Sequence, residues 1–224
     1  FARIRCSQEF VHMRRRIQEA NDKASDDMKL GNRTSAALEV LLNSGNLSDV
    51  FGAIKTLEVS TRLSSVCCGR FVENGAIPTI YGLIRSCNRS QPHRNLLSHA
   101  LRVLINVWPF EMRHGTLSPA FESRMEILVD LMQMFRDRIR TFKVACRLAR
   151  WLCSFQENAA IVRAHTDLMK RLTSIQALMA RKAKLGGGRR PVRRTRISAA
   201  ASSHNQPSDG WLAIKYLMAE IQES

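Results

Sequence analysis

The sequence predicts an all-α fold built of stacked helices, and three observations carry that expectation. Apolar residues recur at spacings of three and four along most of the chain. Many of the six Pro and eleven Gly stand at breaks between apolar segments. Leu, Ala, Met and Arg abound while alternating β-branched runs are missing. With 224 residues, 45% of them apolar, one extended core with tails is expected rather than two large domains.

From Phe1 to about Lys29 the apolar positions Phe1, Ile4, Phe10, Met13, Ile17, Ala20 and Ala24 recur mostly at helical spacing among polar residues, with no Pro or Gly. One long helix is expected, broken at Gly31-Asn32. Asn32 or Thr34 can cap the next helix, whose stripe is Ala37, Leu38, Leu41 and Leu42 before Gly45. A third helix follows from Ser48 with Val50, Phe51, Ile54, Leu57 and Val59.

The string Asn74-Gly75-Ala76-Ile77-Pro78 places a sharp corner between two helices. Gly75 can take the left-handed conformation that closes one helix, and Pro78 suits the first turn of the next because its missing N–H would have no partner there. Pro92 starts a helix with Leu96, Leu97, Ala100, Leu101, Val103, Leu104, Ile105 and Val107, apolar nearly all round and hence innermost, which Pro109 ends. After a loop with His114, Gly115 and Pro119, helices are expected over Phe121–Phe135, Thr141–Phe155 and Asn158–Met179.

Helix, glycine corner, helix and buried long helix make the unit of an armadillo repeat, and the Asn-Gly-Ala-Ile-Pro string resembles that family's inter-helix signature. No such helix buries its face alone, so an armadillo/HEAT-like helical solenoid is expected. The expected organisation is a long N-terminal helix over 1–30, repeats over 31–180, a basic flexible linker over 181–207 and a C-terminal helix over 208–224 that packs back. Ser208 or Asp209 would cap that helix. Its Trp211, Leu212, Ile214, Tyr216, Leu217, Met218 and Ile221 are too much apolar surface to leave in water.

A second resemblance covers nearly the whole chain. It is dense from about Arg16 to Val107. It runs through Arg16-Ile17, Glu19-Ala20, Leu30, Arg33-Thr34, Ala37-Leu38 and Leu41-Leu42. It continues through Leu57-Glu58-Val59, Thr61-Arg62-Leu63-Ser64, Cys67-Cys68 and Leu83-Ile84-Arg85-Ser86-Cys87-Asn88-Arg89-Ser90. It thins at Pro191-Val192-Arg193, Thr195-Arg196-Ile197, Ala213-Ile214 and Leu217-Met218. These residues resemble the carboxy-terminal domain of the abnormal spindle family. The resemblance implies a spindle-pole factor that binds and cross-links microtubules near their minus ends in mitosis. Its location would be the cytoplasm, the cytoskeleton and the spindle poles or centrosome, with the nucleus as an alternative. It implies calmodulin as a partner only through upstream regions outside this chain. Here Ile17-Gln18 is followed by Glu19-Ala20-Asn21-Asp22, without the Arg and Gly positions of an IQ motif. Arg14-Arg15-Arg16 accordingly reads as the end of that upstream rod, a stiff connector.

Charge adds a direction. The 35 Lys and Arg exceed the 19 Asp and Glu by 16, and the excess is concentrated. Residues 1–18 hold five Arg and one Glu, 136–150 five Arg, one Lys and one Asp, and 181–196 six Arg and two Lys without an acid. A near-neutral body with basic segments suits an acidic polymer, such as nucleic acid, an anionic membrane or the acidic tails of tubulin. Lys143, Arg147 and Arg150, at i, i+4 and i+7, share a helix face, preceded by Arg136, Arg138 and Arg140. This is a candidate surface for acidic tubulin tails or, equally, the solvated face of a core helix. Arg181, Lys182, Lys184, Arg189, Arg190, Arg193, Arg194 and Arg196 could hold a polymer through many salt-sensitive contacts, or form a solubilising linker or nuclear localisation signal. The alternative function is a nucleic-acid-binding or nuclear-transport-linked basic adaptor whose Arg-rich segments bind phosphate backbones. It is disfavoured because aromatics are only 6% and mostly at core positions, so no stacking platform is evident. A further spindle-pole protein could sit in the solenoid groove.

Gly75, Pro78 and Trp211 are assigned structural roles. Trp211 and Tyr216 could be a docking anchor, but large aromatics more often serve packing. The cysteines at 6, 67, 68, 87, 146 and 153 lie in apolar helical stretches, as reduced core thiols do, and lack the spacing of a secreted disulfide scaffold. Cys146 and Cys153 have no nearby His to complete a zinc shell. Gly186-Gly187-Gly188 lacks a preceding strand and the Lys-Ser/Thr of a phosphate loop, and no Ser/His/Asp or Cys/His constellation is evident. A non-enzymatic module without cofactor or metal is expected. No apolar run spans a bilayer and charges stand among the first residues, so a soluble, non-exported protein without a membrane partner is expected.

Overall fold

The computed structural model describes residues 2–88, 90–114, 120–186 and 207–223, with the side chains of 2–10, 114, 186, 207 and 208 left aside. Among the described residues the regular structure is helical: α1 (Ala2–Asn43), α2 (Leu47–Leu63), α3 (Ser65–Glu73), α4 (Ala76–Ser86), α5 (Gln91–Glu111), a 3-10 turn (Met112–His114), α6 (Phe121–Met134), α7 (Ile139–Cys153), α8 (Gln156–Ala164), α9 (Thr166–Gly186) and α10 (Pro207–Glu223). The all-α expectation holds. Where composition suggested one extended core, the chain divides into two compact units. The first is Phe1–Thr79 with Asn106–Arg113, and the second Ile80–Ile105 with His114–Ser224.

In the first unit α1 packs on α2 and α3. It runs through Gly31-Asn32 without a break, so the boundary expected at residue 30 falls inside a helix. A Cβ on Gly31 would lie 2.4 Å from Arg70 Nη1 of α3, the movable tip of a long side chain. The helix carries this glycine at the ordinary interior cost of about 1 kcal/mol. Thr34, expected as a cap, is instead buried in mid-helix, its hydroxyl 2.8 Å from Leu30 O and 2.9 Å from Ser60 Oγ of α2. Leu42, expected in the core stripe, faces outward.

Asn46 caps α2, its Oδ1 accepting from Ser48 N at 3.0 Å. The buried face of α2, with Val50, Ala53, Ile54, Leu57 and Thr61, keeps the 3–4 spacing, while Val59 faces out. Ser64 ends α2 and caps α3, accepting from Cys67 N. Asn106 donates from Nδ2 to Glu58 O and Thr61 Oγ1 at 3.3 and 3.1 Å, tying the end of α5 to α2.

Gly75 sits between α3 and α4 with φ +63, as its place in the corner requires. No atom lies within 4 Å of a Cβ built there, so Gly75→Ala tests backbone strain alone. A left-handed Ala costs about 1–2 kcal/mol, offset in part by the lost entropy of the unfolded chain. The expected result is a loss of about 1 kcal/mol in chemical denaturation, with the helical circular dichroism of the native state unchanged. Pro78 lies in the first turn of α4. Pro109 lies inside α5 rather than at its end, and the helix continues to Glu111 before tightening into the 3-10 turn.

The second unit is arranged round α7. Leu96, Leu97, Ala100, Leu101 and Val103 of α5 are fully buried, as expected of an innermost helix. The single helix expected over 158–179 is two. His165 has a ψ of 91 that ends α8, and its Nδ1 accepts from Leu168 N at 3.3 Å to open α9. The sequence that follows, Thr166-Asp167, suits a helix start, with Asp167 in the first turn. α9 then runs to Gly186, so Arg181, Lys182 and Lys184 are helical and the linker expected from 181 cannot begin there.

α10 packs on α7, α8 and α9, as its apolar content demanded. Its buried positions, Gly210, Ile214, Leu217, Met218 and Ile221, form one stripe at helical spacing. The helix begins at Pro207, so Asp209 is a first-turn residue rather than a cap. Trp211 is half-buried, and Tyr216, expected to pack, is exposed. Arg163 Nη1 donates to Ile221 O at 2.6 Å, satisfying a carbonyl in the last turn of α10.

A candidate basic interaction face on α7

α7 is strongly two-faced. Thr141, Phe142, Ala145, Cys146, Leu148, Ala149, Leu152 and Cys153 are buried, while Arg140, Lys143 and Arg147 are exposed or partly so and Arg150 is half-exposed. The sequence forces this: with apolar residues at 3–4 spacing, the intervening Lys and Arg must point to the other side. The residues expected to act together, Lys143, Arg147 and Arg150, do share one face.

Each is oriented by a neighbour. Lys143 Nζ lies 3.2 Å from Asp209 Oδ2 of α10, and Arg150 Nε 3.8 Å from Glu220 Oε2 of the same helix. Arg147 stacks over the Trp151 ring, its guanidinium carbon 4.5 Å from the centroid. The upstream cations occupy the turn between α6 and α7. Arg138 Nη2 donates to Gln91 Oε1 of α5 at 2.9 Å, and Arg136 Nε lies 3.8 Å from Asp137 Oδ2. The face is thus a row of cations with charge left over, in pairs exposed enough that each is worth only about 0–1 kcal/mol. An acidic partner can compete for them. Arg189, Arg190, Arg193, Arg194 and Arg196 lie outside the described residues.

Sequence reasoning missed the two acids of α10. Asp209 and Glu220 are eleven residues apart, about three helical turns, and so lie on one face; that spacing was the available signal. It also missed the pairing of Lys182 of α9 with Asp137. The hydrogen bond from this lysine, helped by the charges of Lys182, Arg136 and Arg94, holds the carboxyl below the usual aspartate range against the opposing effect of burial.

Cys67, Cys68, Cys146 and Cys153 are buried free thiols and Cys87 is half-buried. Burial, with Cys67 beside it, pushes Cys68 up to about 11; burial, with Glu220 near, pushes Cys153 up to about 12, and Cys146 is raised further still. At about pH 8 these three groups are almost wholly protonated and inert. The expected result is that a bulky disulfide reagent leaves Cys67, Cys68, Cys146 and Cys153 unmodified in the native protein and reaches all of them in denaturant, by mass spectrometry of digested fragments. Among the described residues no three His, Cys, Asp or Glu gather as metal ligands, and no helix is long and apolar enough to cross a membrane.

Comparison with known proteins decides the relationship. The chain is 35% identical over 178 residues to the abnormal spindle-like microcephaly-associated protein homolog of Canis lupus familiaris, an alignment covering 75% of this chain. The homolog of Bos taurus is 36% identical over 182 residues and 77% of the chain, and the Homo sapiens protein 34% over 178 residues and 75%. The chain belongs to the abnormal spindle family. It spans about 5% of the length of these abnormal spindle relatives, so the dense sequence resemblance concerns one small part of a very large protein. No family model matches the chain. No solved structure matches it either.

Proposed function

We propose that this chain is a non-enzymatic, helical interaction module of a spindle-pole protein, and that it contributes to microtubule minus-end binding, cross-linking and pole focusing in mitosis. The supporting observation is the α7 face: Arg140, Lys143 and Arg147 beside Arg150, backed by a largely apolar buried stripe that fixes the helix in the second unit. Membership of a family named for the spindle makes the acidic tails of tubulin the fitting partner. Cations held at regular spacing on a rigid helix meet a flexible acidic chain without ordering costs of their own. Loosely paired side chains exchange one carboxylate for another at little cost.

The test is co-pelleting with intact microtubules and with microtubules whose acidic tails have been cleaved, at low and at physiological salt. Binding at low salt that weakens with salt and drops after cleavage supports the reading. No pelleting at low salt removes direct microtubule binding from this chain.

A further inference from the structure

Apart from the α7 stripe, cations converge at one corner of the second unit. Asp137, in the turn between α6 and α7, receives Lys182 Nζ from α9 and has Arg136 Nε at 3.8 Å. Arg94 of α5 is close enough to act on the same carboxyl. One turn before Arg94 on α5, Gln91 accepts from Arg138. Three cations from α5, α9 and the α6–α7 turn thus act on one carboxylate, and Arg138 joins the same corner through Gln91.

Two further features make the corner receptive to an anion. Arg94 Nε is buried without a hydrogen-bond partner, so turning its guanidinium toward an incoming oxygen gives up no bond at that nitrogen and gains one. α7 starts here with neither a side-chain cap nor an acid in its first turn, leaving the positive end of the helix uncompensated. A single carboxylate is already present, and positive charge remains. A phosphoryl dianion, with three acceptor oxygens, matches that surplus better than a second carboxylate does. The cations form one knot rather than a track at phosphate spacing, which fits an isolated phosphate and not a nucleic-acid backbone.

We propose that Arg94, Arg136, Arg138 and Lys182 form a binding site for a phosphorylated serine or threonine of a partner protein. The site shares Arg136 and Arg138 with the upstream end of the basic face but not Lys143, Arg147 or Arg150, so variants at Arg94 and Lys182 test it apart from tubulin-tail binding by those three.

The test uses the full chain and a short peptide with neutral flanks in three forms, carrying phosphoserine, serine or glutamate, followed by fluorescence anisotropy at fixed ionic strength. The phosphoserine form should bind at least about tenfold more tightly than the other two. The double variant Arg94→Gln/Lys182→Gln should lose that advantage while Lys143→Gln keeps it, with thermal melts confirming that both fold. A parallel titration with inorganic phosphate should shift the Arg94 and Arg136 Nε–H resonances, where equal ionic strength of chloride does not. Equal affinity for the three peptides, an advantage that survives the double variant, or a single-stranded oligonucleotide that outcompetes the phosphopeptide would overturn the proposal.

Discussion

Removal of α10 should abolish cooperative folding of the second unit. Ile214, Leu217 and Ile221 are fully buried and Met218 nearly so, all in a helix that rests on α7, α8 and α9. Each such side chain contributes about 1.5–3 kcal/mol, so the four together approach the roughly 5–15 kcal/mol that holds a domain folded. A chain ending at Gln206 should show a broad melt without a sharp midpoint and bind a hydrophobic dye. Gly210→Leu gives a finer version of the same test. A Cβ at Gly210 would lie 2.4 Å from Met179 Cε, 3.3 Å from Ile139 Cδ1 and 3.7 Å from Phe142 Cδ1. Met179 and Phe142 are fully buried and have little room to retreat. Overpacking of this kind costs about 1–3 kcal/mol, and the midpoint should fall by several degrees. Leu212→Ala, at an exposed position on the same helix, should leave the midpoint nearly unchanged.

Reversal of Lys143, Arg147 and Arg150 to glutamate should lower affinity for tail-bearing microtubules at least about tenfold at low salt. Each exposed contact is worth roughly 0.5 kcal/mol or more, and three lost together already give about a factor of ten before the added repulsion is counted. The same change sets a carboxylate on α7 against Asp209 and another against Glu220, where ion pairs now stand at 3.2 and 3.8 Å. Some stability is therefore lost as well. Melting the triple variant separates the two effects, because the apolar stripe of α10 should keep it folded at the assay temperature. A companion variant, Asp209→Asn/Glu220→Gln, frees the stripe from its internal acids and should bind tails more tightly than the unaltered chain.

Much of this was legible from residue spacing. The Gly75 corner, the buried α5 stripe and the docking of α10 follow from local pattern, because an apolar face must be covered and a left-handed turn needs glycine. The errors share another cause. Gly31 reads as a break, yet the helix runs through it beside Arg70, far along the chain on another helix. Thr34 reads as a cap because its bond to Ser60 is equally remote. His165 opens a helix through its own imidazole, a role its residue type does not advertise. Within the site, the cations on one face of α7 were visible, whereas their partners on α10 and the corner made with Arg94 and Lys182 depend on packing between helices far apart in the chain. Dense positive charge could be read from the sequence. Which of it is paired could not.

The most direct measurement is residue-level mapping of an acidic tubulin-tail peptide by amide and arginine side-chain chemical shifts of the full chain. The α7 face predicts saturable, salt-sensitive shifts at Arg140, Lys143, Arg147 and Arg150, with smaller ones at Asp209 and Glu220 as their ion pairs open. Shifts confined to α1, or none on α7 at low salt, would contradict it.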